Sequence, residues 1–130
     1  MRDRHLNAVC DEYLSRSRHH VPFEVVEVDD DAGLMRRIPS GPEVIAMEAG
    51  GEPWDTLRLT RFVSDSMLHG VKTVTFLIGG SDGLPKEAVG RANRRLSLSP
   101  MTLPHRLARV ILCEQLYRAL SIIKGEPYHR

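Results

Sequence analysis

The stretch that decides the fold class is residues 72–98, KTVTFLIGGSDGLPKEAVGRANRRLSL. It opens with seven mostly apolar or β-branched residues, which predict a buried strand over 72–78. A glycine-rich turn follows at 79–84, and a helix with proline in its first turn is predicted over 85–95. The short segment LSL predicts another strand over 96–98. A strand, a helix and a second strand in close succession are typical of α/β proteins with a parallel sheet.

The same alternation extends toward the N-terminus. Helical spacing of apolar residues predicts a helix over 4–17, and alternating β-branched residues predict a strand over 23–28. An acidic segment over 29–42, with at most two helical turns, leads to another strand over 43–48. We therefore expect a single α/β domain over residues 1–130, with a mostly parallel sheet flanked by helices.

Two further helices complete the pattern. One is predicted from an N-cap at Asp55 or Thr56 to about residue 69. The other runs from His105 to about Ile123 and is apolar on more than one side. In a chain this small, one side could cover the sheet and the other a second copy of the chain, so we expect a homodimer.

Length and charge exclude several classes of protein. The chain has 130 residues, of which 42% are hydrophobic, and a formal net charge of only +1. This charge excludes a strongly basic tail protein but hides an asymmetry. Residues 1–65 carry 8 basic and 13 acidic side chains, whereas residues 66–130 carry 10 basic and 4 acidic ones. The basic half leaves nucleic acid open as a partner.

Membrane and metal sites are not predicted. No segment is long and apolar enough for a membrane span or a leader, so we expect a cytoplasmic protein without a membrane partner. Cys10 and Cys113 belong to no CxxC or Cys/His ligand pattern, and no metal is expected. Two buried, reduced thiols are favoured over a disulfide.

Ligands of open parallel sheets bind at the loops that follow the carboxyl ends of the strands, here 48–54, 79–84 and 99–104. The glycines of 79–84 allow either close approach of a ligand or a tight turn, and the loop lacks the GxGxxG and GK[ST] patterns of nucleotide-phosphate sites. In the stretch 96–106, LSLSPMTLPHR, free backbone groups could bind an adenine edge between apolar walls. Alternatively, its hydroxyls could cap the next helix.

Arginines cluster in the second half of the chain. Arg91, Arg94 and Arg95 fall on one face of the helix predicted over 85–95, and Arg109 lies on the last helix. Such a run is either a solvated face or a surface that follows RNA phosphates.

Three segments carry a resemblance to a known family: LIGGSDGL at 77–84, LSLSPMTLPHRLARVILCEQLYRA at 96–119 and PYHR at 127–130. Their order and spacing resemble the ribosomal RNA large subunit methyltransferase H family of the SPOUT superfamily, whose fold contains an α/β trefoil knot. The match is close over 51–130 and looser over 4–28. The resemblance implies a homodimer that uses S-adenosylmethionine to methylate N3 of a pseudouridine in large-subunit rRNA on the assembled ribosome.

The resemblance also implies a cofactor pocket at the ends of three strands. Its residues would be Met47, Gly79, Gly80, Leu98, Ser99, Pro100, Met101, Thr102 and Leu103. The rRNA backbone would contact Arg91, Arg94, Arg95 and Arg109.

The catalytic residues implied by the resemblance lie in the PH pair and at the C-terminus: His105, Tyr128, His129 and Arg130. In the family, the tail helps to complete the active site of the partner subunit. We expect His129 or His105 to position or deprotonate the base, and Arg130 to hold a phosphate or a developing oxyanion.

The sequence departs from the family pattern in two places. Family members usually begin with an apolar strand, whereas this chain starts almost directly with its first helix. The region between the predicted strands over 23–28 and 43–48 is also shorter, by roughly one helix. Two other functions therefore remain open: a SPOUT methyltransferase for a different RNA, and a catalytically inactive knot protein that binds RNA or S-adenosylmethionine.

Overall fold

A computed structural model of the chain describes residues 4–18, 20–41, 43–80 and 82–127. Helices and strands alternate along these residues, as predicted. In chain order they are α1 (Arg4–Ser17), α2 (Asp31–Arg37), β1 (Val44–Pro53), α3 (Thr56–Leu68), β2 (Thr75–Ile78), α4 (Lys86–Arg91), β3 (Arg94–Ser97) and α5 (His105–Lys124).

The three strands form a parallel sheet in the order β2-β1-β3. Met47 of the central strand lies in register with Ile78 of β2 and with Leu96 of β3. The prediction of an α/β fold with a mostly parallel sheet is confirmed. Because the strands run in one direction, their carboxyl ends meet at the same edge of the sheet.

Helices cover both faces of the sheet, because neighbouring side chains of β1 point to opposite sides. Val44 is buried on the face toward α2 and α4, in a cluster with Ile38, Leu77 and Ala88. Ile45 is buried on the other face, where it packs with Phe62 of α3. Asp55 caps α3 as predicted, since its carboxylate accepts a 2.7 Å hydrogen bond from the backbone N–H of Arg58.

The long helix α5 packs against α1 and α3. Between α1 and α5 lies a buried cluster that contains Cys10, Leu14 and Cys113. Both cysteines are buried and free, which confirms the prediction of reduced thiols. Burial raises the pKa of the Cys113 thiol to about 12, and the neighbouring Cys10 adds to the shift. α5 thus contacts two helices of the same chain, while Ile111 and Leu116 are half-buried and Leu107 is exposed.

The predicted strand over 23–28 is wrong. This segment is not part of a strand, three of its valines are exposed, and within the described residues no strand lies beside it. It lies against helices instead. Phe23 packs on the cysteine cluster, and the Glu27 carboxylate accepts a 2.6 Å hydrogen bond from Arg109 of α5. β-Branched residues favour extended backbone, but a strand also needs a neighbouring strand to pair with.

The helix predicted over 85–95 is too long, because Asn93 docks on the central strand. Its backbone N–H donates to the carbonyl of Val44 (2.7 Å), and its side-chain oxygen accepts from the N–H of Val44 (2.8 Å). The helix therefore ends at Arg91, and the next arginines lie on β3. This also corrects the prediction of one helical face that carries Arg91, Arg94 and Arg95.

The other strand boundaries differ by a few residues. The strand predicted over 72–78 begins only at Thr75, and the one predicted over 43–48 continues to Pro53. The predicted loop 48–54 is therefore largely strand. A shift of register accompanies this extension, since Leu96 pairs with both Met47 and Glu52.

Candidate functional site

The carboxyl edge of the sheet brings together the strand ends that precede the predicted cofactor residues. Half-buried Met47 is flanked by Ile78, which directly precedes Gly79, and by Leu96, which lies two residues before Leu98. All three predicted cofactor segments therefore start from neighbouring positions of one sheet. Sequence order alone separates Met47 and Leu98 by some fifty positions, and only strand pairing makes them neighbours.

The loop after β2 doubles back tightly on itself. A Cβ atom on Gly79 would lie 2.4 Å from the carbonyl carbon of Gly83 and 2.5 Å from the backbone nitrogen of Leu84. The backbone N–H of Gly83 donates a 3.0 Å hydrogen bond to the carbonyl of Gly80, and Gly83 has a φ of 79°. Tight turning accounts for Gly79 and Gly83, while Gly80 is exposed at the edge of the sheet.

The loop after β3 is shaped by its own serines. The hydroxyl of buried Ser97 donates to the carbonyl of Ser99 (2.8 Å), and the hydroxyl of Ser99 accepts from the N–H of Met101 (3.0 Å). Pro104 precedes α5, and among the residues that the structure describes no side chain caps that helix. The hydroxyls therefore organise the loop, and the alternative in which they cap the following helix is wrong.

This loop presents backbone groups that could bind a ligand. The N–H groups of Leu98, Thr102 and Leu103 form no hydrogen bond within the residues that the structure describes. Leu98 and Leu103 are half-buried, whereas the Met101 side chain is 74% exposed. Free amides beside apolar side chains suit a flat heterocycle with hydrogen-bonding atoms along its edge.

The predicted catalytic residues fall into two groups. His105 is the first residue of α5 and is exposed directly after the serine loop. Tyr128, His129 and Arg130 lie outside the described residues. Their place in the active site stays a prediction.

The four predicted RNA-binding arginines are dispersed and already engaged. Arg94 and Arg95 contact Glu43 (3.5 Å) and Glu48 (2.9 Å), and Arg109 contacts Glu27 (2.6 Å). Arg91 donates to two backbone carbonyls at the end of α2, at 3.4 Å each. Carboxylates thus balance three of these charges within the chain. Their contact with RNA stays a prediction.

Sequence reasoning missed a group of side chains next to this edge. Trp54 lies between Arg58, whose guanidinium carbon is 4.4 Å from the indole ring centroid, and Phe62, whose ring centroid is 5.2 Å away. The signal available in the sequence was the single tryptophan of the chain, placed in a turn and followed four residues later by an arginine.

The described residues contain neither a candidate metal site nor a candidate membrane span. No group of three His, Cys, Asp or Glu side chains could hold a metal ion. In the same part of the chain, no helix combines the length and apolar character that a bilayer crossing requires.

Comparison with known proteins agrees with the α/β fold. A relative from Sorangium cellulosum, named ribosomal RNA large subunit methyltransferase H, is 44% identical over 133 residues, covering 98% of this chain and 92% of the relative. A relative of the same name from Gemmatimonas aurantiaca is 39% identical, and the alignment covers 92% of this chain and 86% of the relative. Another from Carboxydothermus hydrogenoformans is 36% identical, and the alignment covers 100% of this chain and 94% of the relative.

The alignment with the Carboxydothermus protein spans 149 positions, although this chain has 130 residues. This chain therefore lacks residues that the relative has within the aligned region. A family model described as "Predicted SPOUT methyltransferase" matches residues 1–129. By this match over nearly its whole length, and by the parallel sheet with its converging loops, the chain belongs to the SPOUT methyltransferase family.

Proposed function

We propose that this protein transfers a methyl group from S-adenosylmethionine to N3 of a pseudouridine in large-subunit ribosomal RNA. The observation that carries the proposal is the convergence of Met47, the glycine loop and the serine loop at one edge of the sheet. Membership of the SPOUT methyltransferase family and the names of the relatives support the reaction and the substrate.

The residues at this edge fit the proposed cofactor. S-adenosylmethionine supplies an electrophilic methyl carbon on a positively charged sulfur. The free N–H groups of Leu98, Thr102 and Leu103 would bind the acceptor atoms of its adenine ring. Met47 and Leu103 would form apolar walls, and Gly80 would let the ligand approach the backbone closely. The remaining pocket residues, Gly79, Ser99, Pro100 and Met101, hold or extend these two loops.

The remaining requirement is a base at the reacting nitrogen. N3 of pseudouridine carries a proton that must be removed for the nitrogen to act as a nucleophile. His129 or His105 would take or orient this proton, since an imidazole nitrogen can accept a proton from the base. Tyr128 would stack on the base, and Arg130 would hold a phosphate or a developing oxyanion. Alignment of nitrogen and methyl carbon would supply much of the acceleration.

The proposed assembly is a cytoplasmic homodimer of single α/β-knot domains acting on the ribosome. This proposal rests on the family resemblance. Light scattering at micromolar concentration tests it. A dimer mass is expected, and a monomer at that concentration would contradict a tail that completes the site of a partner subunit.

The activity can be tested directly on ribosomes that lack the modification. Purified protein, ribosomes and S-adenosylmethionine are incubated, and the rRNA nucleosides are analysed by mass spectrometry. We expect 3-methylpseudouridine, and we expect His129→Ala to lower the rate by roughly 10²- to 10⁴-fold. His69→Ala is the matched control, because His69 is an exposed histidine at the end of α3.

Each alternative outcome points to a different function. A methylated nucleoside of another kind, or a product only in tRNA, would assign the enzyme to a different RNA. Binding of S-adenosylmethionine in a calorimeter without any methylated product would indicate an inactive knot protein. Full activity of His129→Ala would remove the catalytic role of that residue.

A further inference from the structure

A stack of four side chains, two aromatic rings between two guanidinium groups, lies at the far end of β1. Arg58 covers one face of Trp54, Trp54 contacts Phe62, and the guanidinium carbon of Arg94 is 5.1 Å from the Phe62 ring centroid. A guanidinium on an aromatic face keeps its N–H edges free for further hydrogen bonds, and the stacking restrains the side chain. The stack therefore holds Arg58 in a defined position at the surface.

An open groove of about 610 Å³ runs beside this stack. Among its lining residues are Trp54, Arg58 and Arg61, the two arginines being one turn apart on α3. Arg61 is exposed and forms no hydrogen bond or ion pair with the described residues. This separates it from the four predicted RNA-binding arginines, all of which contact oxygens within the chain.

The two carboxylates of the groove are committed to other partners. Asp55 accepts from the backbone N–H of Arg58 as the cap of α3. Glu52 accepts a 3.0 Å hydrogen bond from the indole N–H of Trp54 and lies 4.0 Å from the side chain of Arg58. The lining thus carries two carboxylates and two guanidinium groups. Of these guanidinium groups, Arg61 is the one that forms no ion pair with the described residues.

The groove borders the proposed cofactor loops. Pro53, which also lines the groove, is in register with Ser97 of β3. The hydroxyl of Ser97 in turn binds the carbonyl of Ser99 in the serine loop. The hydroxyl of Thr56 donates a 2.7 Å hydrogen bond to the side-chain oxygen of Gln115 and connects the start of α3 to α5. A chain lying in the groove would pass next to the methyl-transfer site.

We propose that this groove binds the sugar–phosphate backbone of the RNA substrate, with Arg61 and the stacked Arg58 each contacting a phosphate. The proposal rests on the proposed function and deepens it by placing the substrate strand. Guanidinium groups match phosphate oxygens bidentately, and two arginines one turn apart on a helix can reach successive contacts along a strand. Arg61 and Arg58 are positioning residues here, since they do not touch the reacting atoms.

Binding measurements separate this role from catalysis. Full-length protein is bound to unmodified ribosomes, and in parallel to deproteinised large-subunit rRNA, at 50 to 200 mM KCl. We expect Arg61→Ala to weaken both by roughly tenfold and to lower the slope of log K against log salt by about 0.7 to 0.9. Arg58→Ala should act in the same way. Arg16→Ala, which removes an equal charge from an exposed pair on α1, should change neither quantity.

The affinity for S-adenosylmethionine is the second readout, and it should be the same for wild type and Arg61→Ala. Equal RNA affinity and salt slope for Arg61→Ala and Arg16→Ala would overturn the proposal. A loss seen with ribosomes but not with deproteinised rRNA would assign the groove to a ribosomal protein instead, and would also overturn it. Failure of the wild type to methylate any RNA would overturn the proposed function, while the RNA-binding comparison would still decide the role of the groove.

Discussion

Replacement of Gly79 by alanine tests the close packing of the glycine loop. Its new Cβ would lie 2.4 Å from the carbonyl carbon of Gly83, whereas ordinary contact begins at 3.4 Å. The two arms of the loop must therefore separate by about 1 Å. Such a movement strains the hydrogen bond between Gly83 and Gly80 and pulls Leu84 away from the core on the α2 face.

The expected cost follows from these two losses. Overpacking a tight site costs about 1–3 kcal/mol, and a weakened hydrogen bond adds about 1 kcal/mol. We therefore expect Gly79→Ala to lower the free energy of unfolding by about 2–4 kcal/mol and Tm by on the order of 10 °C. The proposed cofactor should also bind more weakly, because the displaced loop forms part of its pocket.

Gly80→Ala is the matched control in the same loop. A Cβ on Gly80 meets nothing within 4 Å, and its φ is not in the left-handed region. Its stability should stay within about 0.5 kcal/mol of the wild type. Urea unfolding followed by the fluorescence of Trp54 measures both variants, and calorimetry measures cofactor affinity. Equal stability of the two variants would refute the packing argument. Lost cofactor affinity at unchanged stability would mean that Gly79 serves ligand contact alone.

Three further predictions concern other parts of the chain. Because burial raises the Cys113 pKa from 9.0 to about 12, this thiol ionises at a lower pH in the unfolded chain than in the folded one. The free energy of unfolding should therefore fall as the pH rises between these values, and Cys113→Ala should remove that fall in urea titrations. In hydrogen exchange measured by NMR, the backbone amides of residues 24–26 should exchange rapidly and that of Ile45 slowly. Strong protection over 24–26 would contradict the finding that this segment is not paired in the sheet. Asp55→Ala should cost about 1 kcal/mol in thermal unfolding and Asp55→Asn less, because Asn also caps helices.

Elements with strong local signals could be predicted from the sequence. The 3.6-residue spacing of apolar side chains located α1 and α5, and Asp55 marked the start of α3 correctly. These signals are local, since a helix closes its hydrogen bonds within its own segment and a cap acts over three residues. The motifs around 77–84 and 96–106 likewise identified the loops of the candidate site.

The secondary-structure predictions were wrong where the structure of a segment depends on residues distant in the sequence. The segment over 23–28 has the composition of a strand but lacks a neighbouring strand in the described structure. The helix predicted over 85–95 was cut short by the docking of Asn93 on β1, a contact between positions 49 residues apart. The predicted arginine face was lost with it, because Arg94 and Arg95 became strand residues.

The sequence by itself determined the fold class and the family, because periodicity and motif spacing are local features of the chain. Only the tertiary structure decided which charged side chains form ion pairs within the chain. Strand register and helix packing brought Glu43, Glu48 and Glu27 to three of the predicted RNA-binding arginines. The same packing left Arg61, which lines a groove with Trp54, without an ion pair among the described residues. Charge pairing depends on distances through space, and folding alone sets those distances.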